Sequence, residues 1–400
     1  MTQPHFAGSL STAADSKIAL EESLSALEAA MGERSPHLCL AFASPHHAPL
    51  LQGLGPVLAQ STGAEVVLGC TGQSIVGGTR EVEAEPALSL WAAHLPGTEV
   101  RPLEVTAVPG PDQTPSFSAL PEVEDPARAG LLLFGEPFSF PMDAYLRSLN
   151  EERSGVPAVG GIASGGQRPG QILLLNENGL RQAGAVGAVI EGEIELCPVV
   201  SQGCRPVGQP WVITKCERNL VLELGGQPAA EVLVKTLEAL PEGEREQFQK
   251  GPFLGLAIDA TRSQFGRGDL LVRGILGMDP KRKALAVGDV LRRGQSVQFL
   301  MRDADSCAED LRQLIGVHGD ALEQDTGAQS GALLFTCNGR GRNMFPIPDH
   351  DVSCVRAGLR RDLPLAGFFA NGEIGPVGGR NFLHGFTASV GLLKRRADAR

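Results

Sequence analysis

Aromatic residues make up only 5% of this 400-residue chain, with one tyrosine and two tryptophans. Proteins that hold nucleic acid by stacking bases use more of them. Excess positive charge is missing too. The formal net charge is −11 at pH 7, which opposes phosphate backbones and anionic lipid surfaces. No apolar run reaches the roughly 18 residues of a membrane-spanning helix. The first ten residues show no basic stretch leading into an apolar one, so no export signal is read. None of the eight cysteines stands in a C-x-x-C pair. The expectation is a reduced, cytoplasmic protein with buried thiols, no metal site, and neither nucleic acid nor membrane as partner. The glycine clusters Gly69-x-x-Gly72 and Gly160–Gly166 lack the order of a P-loop or a Rossmann turn, so no cofactor is expected.

What is present is a 42% hydrophobic fraction against 20% charged, enough to bury a substantial core. Leu20, Leu24, Leu27 and Met31 share one face of a helix predicted over Asp15–Met31, with Gly32 as its stop. Met142–Glu152 and Asp305–Ile315 are further helices. Leu38–Ala43, Leu131–Phe134, Leu333–Thr336 and Phe386–Leu393 are short apolar strands. Asn176-Glu177-Asn178-Gly179 is a hairpin turn that should join Ile172–Leu175 to Ala183–Ile190. Strands and helices alternate irregularly, with several hairpins. This predicts an α/β fold of mixed α+β character: two related modules of mixed sheets covered by helices, packed as one body. The boundaries are 1–35 for a helical extension, 36–226 and 227–394 for the modules, and 395–400 for a tail. The joint near Gly226 is very short, so each half is expected to need the other.

The 50 glycines, well above an average of roughly 7%, gather at the ends of apolar runs. Four times a strand runs into a small or sulfur residue, then a polar one and glycine. The copies are Leu68–Gly72, Val159–Gly165, Phe335–Gly339 and Phe369–Gly372, two in each half. Such turns bring backbone N–H groups to sheet edges, where ligands bind.

At these turns the sequence resembles the FIST family (F-box and intracellular signal transduction). Val67-Leu68-Gly69-Cys70-Thr71-Gly72-Gln73-Ser74-Ile75, followed by Glu83, is similar to the signature of the FIST N-terminal module. Gly331–Gly341 is similar to the first signature of the C-terminal module. Gly367–Pro376 with Asn381–Thr387 is similar to the second. Order and spacing agree from about Pro36 to Lys394, nearly the whole chain. The resemblance implies a sensory module for a small ligand, with amino acids proposed for the family, and an unidentified signalling protein as a further partner.

The chemistry-bearing side chains near the turns are Cys70, Thr71, Asn338, Arg340, Asn371, Glu373, Arg380, Asn381 and His384. A carboxylate such as Glu373 on a strand-end turn suits a ligand amine. Arg380 or Arg340 could grip a carboxylate through two parallel hydrogen bonds. An unpaired buried charge would cost several kcal/mol, so these groups either face solvent or face one another across a polar pocket. The leading expectation is a ligand-binding sensor and not an enzyme. A thiol hydrolase or transferase using Cys337 or Cys70 with His384 is the first alternative. A protein-interaction scaffold is the second.

Overall fold

The computed structural model describes residues 3–110, 114–259, 261–262, 264–266, 268–323 and 329–397. The chain divides into two compact units, one made of Met1–Val200 with Leu311–Arg400, the other of Ser201–Asp310. In chain order the first unit opens with β1 (His5–Ser11), α1 (Ser16–Met31), β2 (Leu38–Ala43), α2 (Leu51–Thr62), β3 (Val66–Thr71), the hairpin β4 (Ser74–Gly77) and β5 (Arg80–Glu83), and β6 (Leu88–His94). It continues with β7 (Thr98–Val105), β8 (Ala107–Pro109), β9 (Pro115–Phe117), β10 (Ala129–Gly135), α3 (Met142–Glu152), β11 (Ala158–Ile162), the hairpin β12 (Leu174–Asn176) and β13 (Gly179–Arg181), and β14 (Ala185–Gly192).

After β15 (Ile194–Ser201) comes the second unit: β16 (Cys204–Glu217), β17 (Leu220–Leu224), β18 (Gln227–Pro228), α4 (Ala229–Glu238), α5 (Glu242–Lys250), β19 (Phe253–Ala257), β20 (Leu270–Asp279), β21 (Ala284–Val287) and β22 (Ser296–Arg302). The chain returns through α6 (Ala304–Glu323) to β23 (Ser330–Cys337), α7 (His350–Leu359), β24 (Leu365–Ala370), the hairpin β25 (Glu373–Val377) and β26 (Arg380–His384), and β27 (Ala388–Arg395). In the second unit the strands run β16-β22-β19-β20-β21-β17, and a β16–β17 pairing closes the sheet on itself.

Three sheets of the first unit repeat one plan. Their orders are β1-β6-β2-β3-β12-β13, β7-β14-β10-β11-β25-β26 and β15-β27-β23-β24-β4-β5. Each has a parallel central pair, β2–β3, β10–β11 or β23–β24. Each central pair has an antiparallel neighbour on one side, β6, β14 or β27. On the other side lies a hairpin from a different repeat. The hairpin of the first repeat pairs with the third, that of the second with the first, and that of the third with the second. Strands from both sequence halves therefore share sheets, and mixed sheets covered by helices are what the structure contains.

The registers superimpose residue for residue. Phe42, Phe134 and Phe335 hold the same position and meet, with ring centroids 5.5, 6.2 and 5.6 Å apart. Phe368 completes the cluster. All four are fully buried, each contributing roughly 1.5–3 kcal/mol by burial. Gly69, Gly160 and Gly367 are likewise equivalent. A β-carbon there would sit 2.1, 1.9 and 1.8 Å from the carbonyl oxygens of Ala41, Leu133 and Leu334, so this strand crossing admits only glycine. Gly69→Ala should cost about 2 kcal/mol or more, because the obstacle is backbone and cannot rotate away. Gly53→Ala, in α2 with nothing within 4 Å, should be neutral or gain up to about 1 kcal/mol. Urea midpoints compare the two, and equal effects would contradict the close crossing.

Local expectations hold where periodicity is strong. Asp15 caps α1 by accepting from the N–H groups of Lys17 and Ile18, and Gly32 ends it at φ 61°. The hairpin turn at Asn176–Gly179 forms as read. Its return strand is only β13, however. Gly184 at φ 83° breaks the strand, and Ala185–Gly192 joins a different sheet. The Phe335–Gly339 turn ends the first strand of its repeat. The other three glycine turns end the second, so they form one equivalent set.

Candidate functional site

That set of turns converges. Ser164, from the second repeat, donates its N–H to the Thr71 carbonyl of the first at 3.1 Å. Its hydroxyl donates to the Phe369 carbonyl of the third and accepts from the Gln73 N–H at 2.7 Å. Asn371 donates its N–H to the Ile162 carbonyl at 3.0 Å and its side-chain amide to the Ala163 carbonyl at 3.2 Å. Asn338 joins from the end of β23, its amide donating to Asn371 Oδ1 at 2.8 Å.

Comparing equivalent positions isolates where one repeat departs from the others. On the inner strand of each exchanged hairpin, one residue pairs with Cys70, Gly161 or Phe368 and is wholly buried. It is Leu174 opposite Cys70, Ile75 opposite Phe368 and Glu373 opposite Gly161. Leu174 and Ile75 belong to the central core, so a carboxyl stands where the fold twice accepts an aliphatic chain. Glu373 Oε2 accepts from the Thr387 N–H at 3.0 Å. Among the described residues Oε1 has no hydrogen-bond partner, and neither does the buried Oδ1 of Asn338. Burial pushes the Glu373 carboxyl well above its ordinary range. The Thr387 N–H, the Arg340 charge and the Cys337 thiol pull it back only in part.

A second departure lies one position along. Leu180 and Leu383 occupy equivalent places on the outer strands of their hairpins, and the first repeat has Glu81. Glu81 Oε1 accepts the Val352 N–H at 2.8 Å, at the start of α7. Burial, then the neighbouring Asp351 charge, push this carboxyl up to about 8.

Between the two acids lies a buried ion pair. Arg340 and Asp351 are both 0% exposed and joined at two points, Nε to Oδ2 and Nη2 to Oδ1, each 2.7 Å. Thr336 Oγ1 donates to Asp351 at 2.5 Å, and His350 Nδ1 lies 2.9 Å from it. Burial opposes the Asp351 charge, but Arg340, His350 and Thr336 outweigh it and hold the carboxyl far below the usual range. Burial likewise works against a charged His350, yet its bonds to Asp351 and Cys354 raise it to about 9. The ring stacks on Phe345, centroids 3.4 Å apart, and the Arg340 guanidinium lies over the same Phe345 ring, 5.2 Å from its centroid.

Asn338, Arg340, Asn371 and Glu373 are thus brought together, with His384 as the strand partner of Glu373. His384 Nε2 donates to the Gly375 carbonyl at 2.9 Å, which ties that nitrogen to the hairpin backbone. Asn381 is buried and saturated. Its side chain accepts from Ala158 N–H and donates to the Val156 carbonyl, and its backbone exchanges two bonds with Asn150, all at 2.8 Å. It staples the third hairpin to the second repeat. Arg380 is exposed at the far end of that hairpin, paired with Val377. Thr71 accepts the Leu173 N–H on Oγ1 at 3.1 Å. Cys70 is a core residue whose thiol burial pushes well above its ordinary value. Cys337, by contrast, is partly exposed and accepts the Gly339 N–H at 3.5 Å. Nearby Phe386 holds φ 64°, a strained conformation for an aromatic residue, and its ring comes 3.2 Å from where a Gly339 β-carbon would sit.

Sequence reading missed Asp351, Glu81 and Thr387. Aligning the glycine turns Leu68–Gly72, Val159–Gly165 and Phe369–Gly372 would have set Ile75 against Glu373. Among the described residues no group of three or more His, Cys, Asp or Glu side chains could hold a metal ion, and no helix is long and apolar enough to cross a membrane.

Residues 37–227 match the FIST N domain and residues 229–376 the FIST C domain. An uncharacterised protein of Mycobacterium tuberculosis is 37% identical over 384 residues, covering 96% of this chain and 98% of its own. An uncharacterised protein of Mycobacterium bovis is 35% identical over 382 residues, covering 96% and 97%.

Proposed function

This chain belongs to the FIST family, and from that premise we propose that it is a small-ligand-binding sensory protein of signal transduction, with its site at the Glu373 turn of the third repeat. FIST domains are associated with sensory roles in signal transduction. One observation carries the placement: Glu373 sits at full burial where the fold elsewhere has Ile75 and Leu174. Folds keep such locally unfavourable choices where function needs them. The ligand is an amino acid or similar metabolite, and a signalling protein that reads the bound state is the further partner. The chemistry favoured is binding and not turnover. Of the two thiols a hydrolase would use, Cys70 is pushed by burial well above its ordinary value, away from the thiolate such an enzyme needs.

The test is thermal unfolding against a panel of amino acids. A ligand at 100 times its dissociation constant should add about 2.7 kcal/mol of stability. Glu373→Ile copies the side chain the fold accepts at Ile75. It should melt at or above the parent temperature and lose the ligand-induced shift. An unfolded Glu373→Ile protein would make the carboxyl structural and remove the site.

A further inference from the structure

Resting on the proposed signalling partner but not on the Glu373 site, we infer that this partner docks on the second unit, as an extended acidic and apolar segment added beside β20. That strand is half paired. Its first half pairs with β19, which stops at Phe253 opposite Gly274, and Ile275–Asp279 pairs with β21. Among the described residues no strand takes the other edge of Ile275–Asp279. A β-carbon on Gly274 or Gly277 would meet nothing within 4 Å, so open space lies over this backbone. A free edge is a template for a further strand.

Apolar side chains follow the same stretch. Leu276 is 69% exposed and Met278 50%. Met278 and Pro280, with Ala230 and Val234 of α4, line an open groove of about 530 Å³. In the other direction Leu276 reaches over Gly288, where a β-carbon would lie 4.0 Å from Leu276 Cδ2. Two residues on stands Val290, 72% exposed. Contiguous bare apolar surface of this kind marks a place where another molecule is held.

Charge selects the occupant. In a chain of net charge −11, residues 280–293 set Lys281, Arg282, Lys283, Arg292 and Arg293 against Asp289 alone. The acids close by are paired: Glu217 with Arg282, Glu231 with Lys283 and Asp289 with Arg273. Glu238 shares the groove with Lys235. Lys281 beyond Met278, and Arg292 and Arg293 beyond Val290, are exposed and have no ion-pair partner among the described residues. Arg218 joins the second group, since its carbonyl accepts the Leu291 N–H at 2.8 Å. Acidic side chains of the partner would meet these cations, and its apolar ones the stripe between them. A bilayer fits less well. It has no backbone to pair with the free edge, and the net charge of the chain opposes anionic lipid.

The probes are labelled peptides of alternating Glu and Leu, alternating Lys and Leu, and alternating Glu and Ser, read by fluorescence anisotropy against the full chain. Only the Glu-Leu peptide should bind, and added salt should weaken it. N-methylation at alternate residues, made in both registers, should abolish binding in one of them, because it removes the N–H groups that pair with the edge. Leu276→Glu with Val290→Glu should weaken binding about tenfold or more and leave the melting temperature unchanged, since both side chains are exposed. Arg292→Glu with Arg293→Glu should lose the Glu-Leu peptide and gain the Lys-Leu one. No binding of the Glu-Leu peptide, equal binding of the Lys-Leu peptide, or indifference to N-methylation in both registers would overturn the proposal. So would sedimentation with phosphatidylserine vesicles, or self-association of the chain, that Leu276→Glu abolishes, since each names a different occupant. The ligand-induced thermal shift and its loss in Glu373→Ile test the sensory reading separately, whichever way the peptides fall.

Discussion

Cut between Gly226 and Gln227, the chain should yield two fragments that do not fold alone. The break divides both units. In the second it leaves β16 and β17 on one fragment and the four strands that complete the closed sheet on the other. In the first it separates β4 from β24 and β11 from β25, and it parts Phe42 and Phe134 from Phe335 and Phe368. Each fragment would expose hydrogen-bonding edges along apolar strands, a recipe for aggregation. The expected result is insoluble product, or soluble product with no cooperative urea transition. A single sharp transition in either fragment, with a slope matching its full surface burial, would refute the shared-sheet architecture. The family domains meet at residues 227–229, so their border in sequence lies inside a structural unit.

The second large effect should come from Asp351. Asp351→Ala strips a fully buried guanidinium of its two-point partner. Breaking a buried pair from one side costs about 3–5 kcal/mol, because the remaining charge has lost its compensation. Thr336 and His350 lose a bond as well. Replacing both partners, Arg340→Met with Asp351→Ala, should recover a good part of the loss, and the pair of urea midpoints measures this. His350 gives an independent reading. The proton it holds up to about 9 depends on Asp351, so its NMR titration in Asp351→Ala should move down towards ordinary histidine values. Sign follows from linkage: a histidine raised in the folded state adds stability that is full below its unfolded value and lost as pH climbs through the folded one. His350 should thus cost the parent stability between about pH 6.5 and 9, and the variant, which keeps the carboxyls Glu81 and Glu373 raised by burial, should lose less over that window. A loss under 1 kcal/mol with unchanged His350 titration would show the pair to be incidental.

How far the sequence disclosed this molecule depended on the range of the forces involved. α1 was legible because its leucines repeat locally and Asp15 and Gly32 mark its ends. β2 and β10 were legible as short apolar runs. The hairpins β4–β5 and β25–β26 were not, since their purpose is to complete another repeat's sheet and nothing within ten residues announces that. Arg380 and Glu373 looked like neighbours along the chain, yet a two-stranded hairpin puts them at opposite ends. Arg340 read as a cation for a ligand carboxylate because its partner Asp351 is eleven residues on, across a turn. Glu373, Asn338 and Asn371 were singled out because glycine turns at strand ends are a local signal with a geometric meaning, and the fold does bring these three together.

The hairpin exchange has a further consequence. Each repeat gives its hairpin to one neighbour and receives one from the other, so the ring closes after three donations. A chain carrying a single repeat could cover its edges only by trading with two copies of itself, and would assemble as a swapped trimer with rotational symmetry. Joining the three in one polypeptide frees each copy to mutate separately. Such freedom allows a carboxyl to stand at 373 while its counterparts at 75 and 174 stay aliphatic, which no symmetric trimer could do.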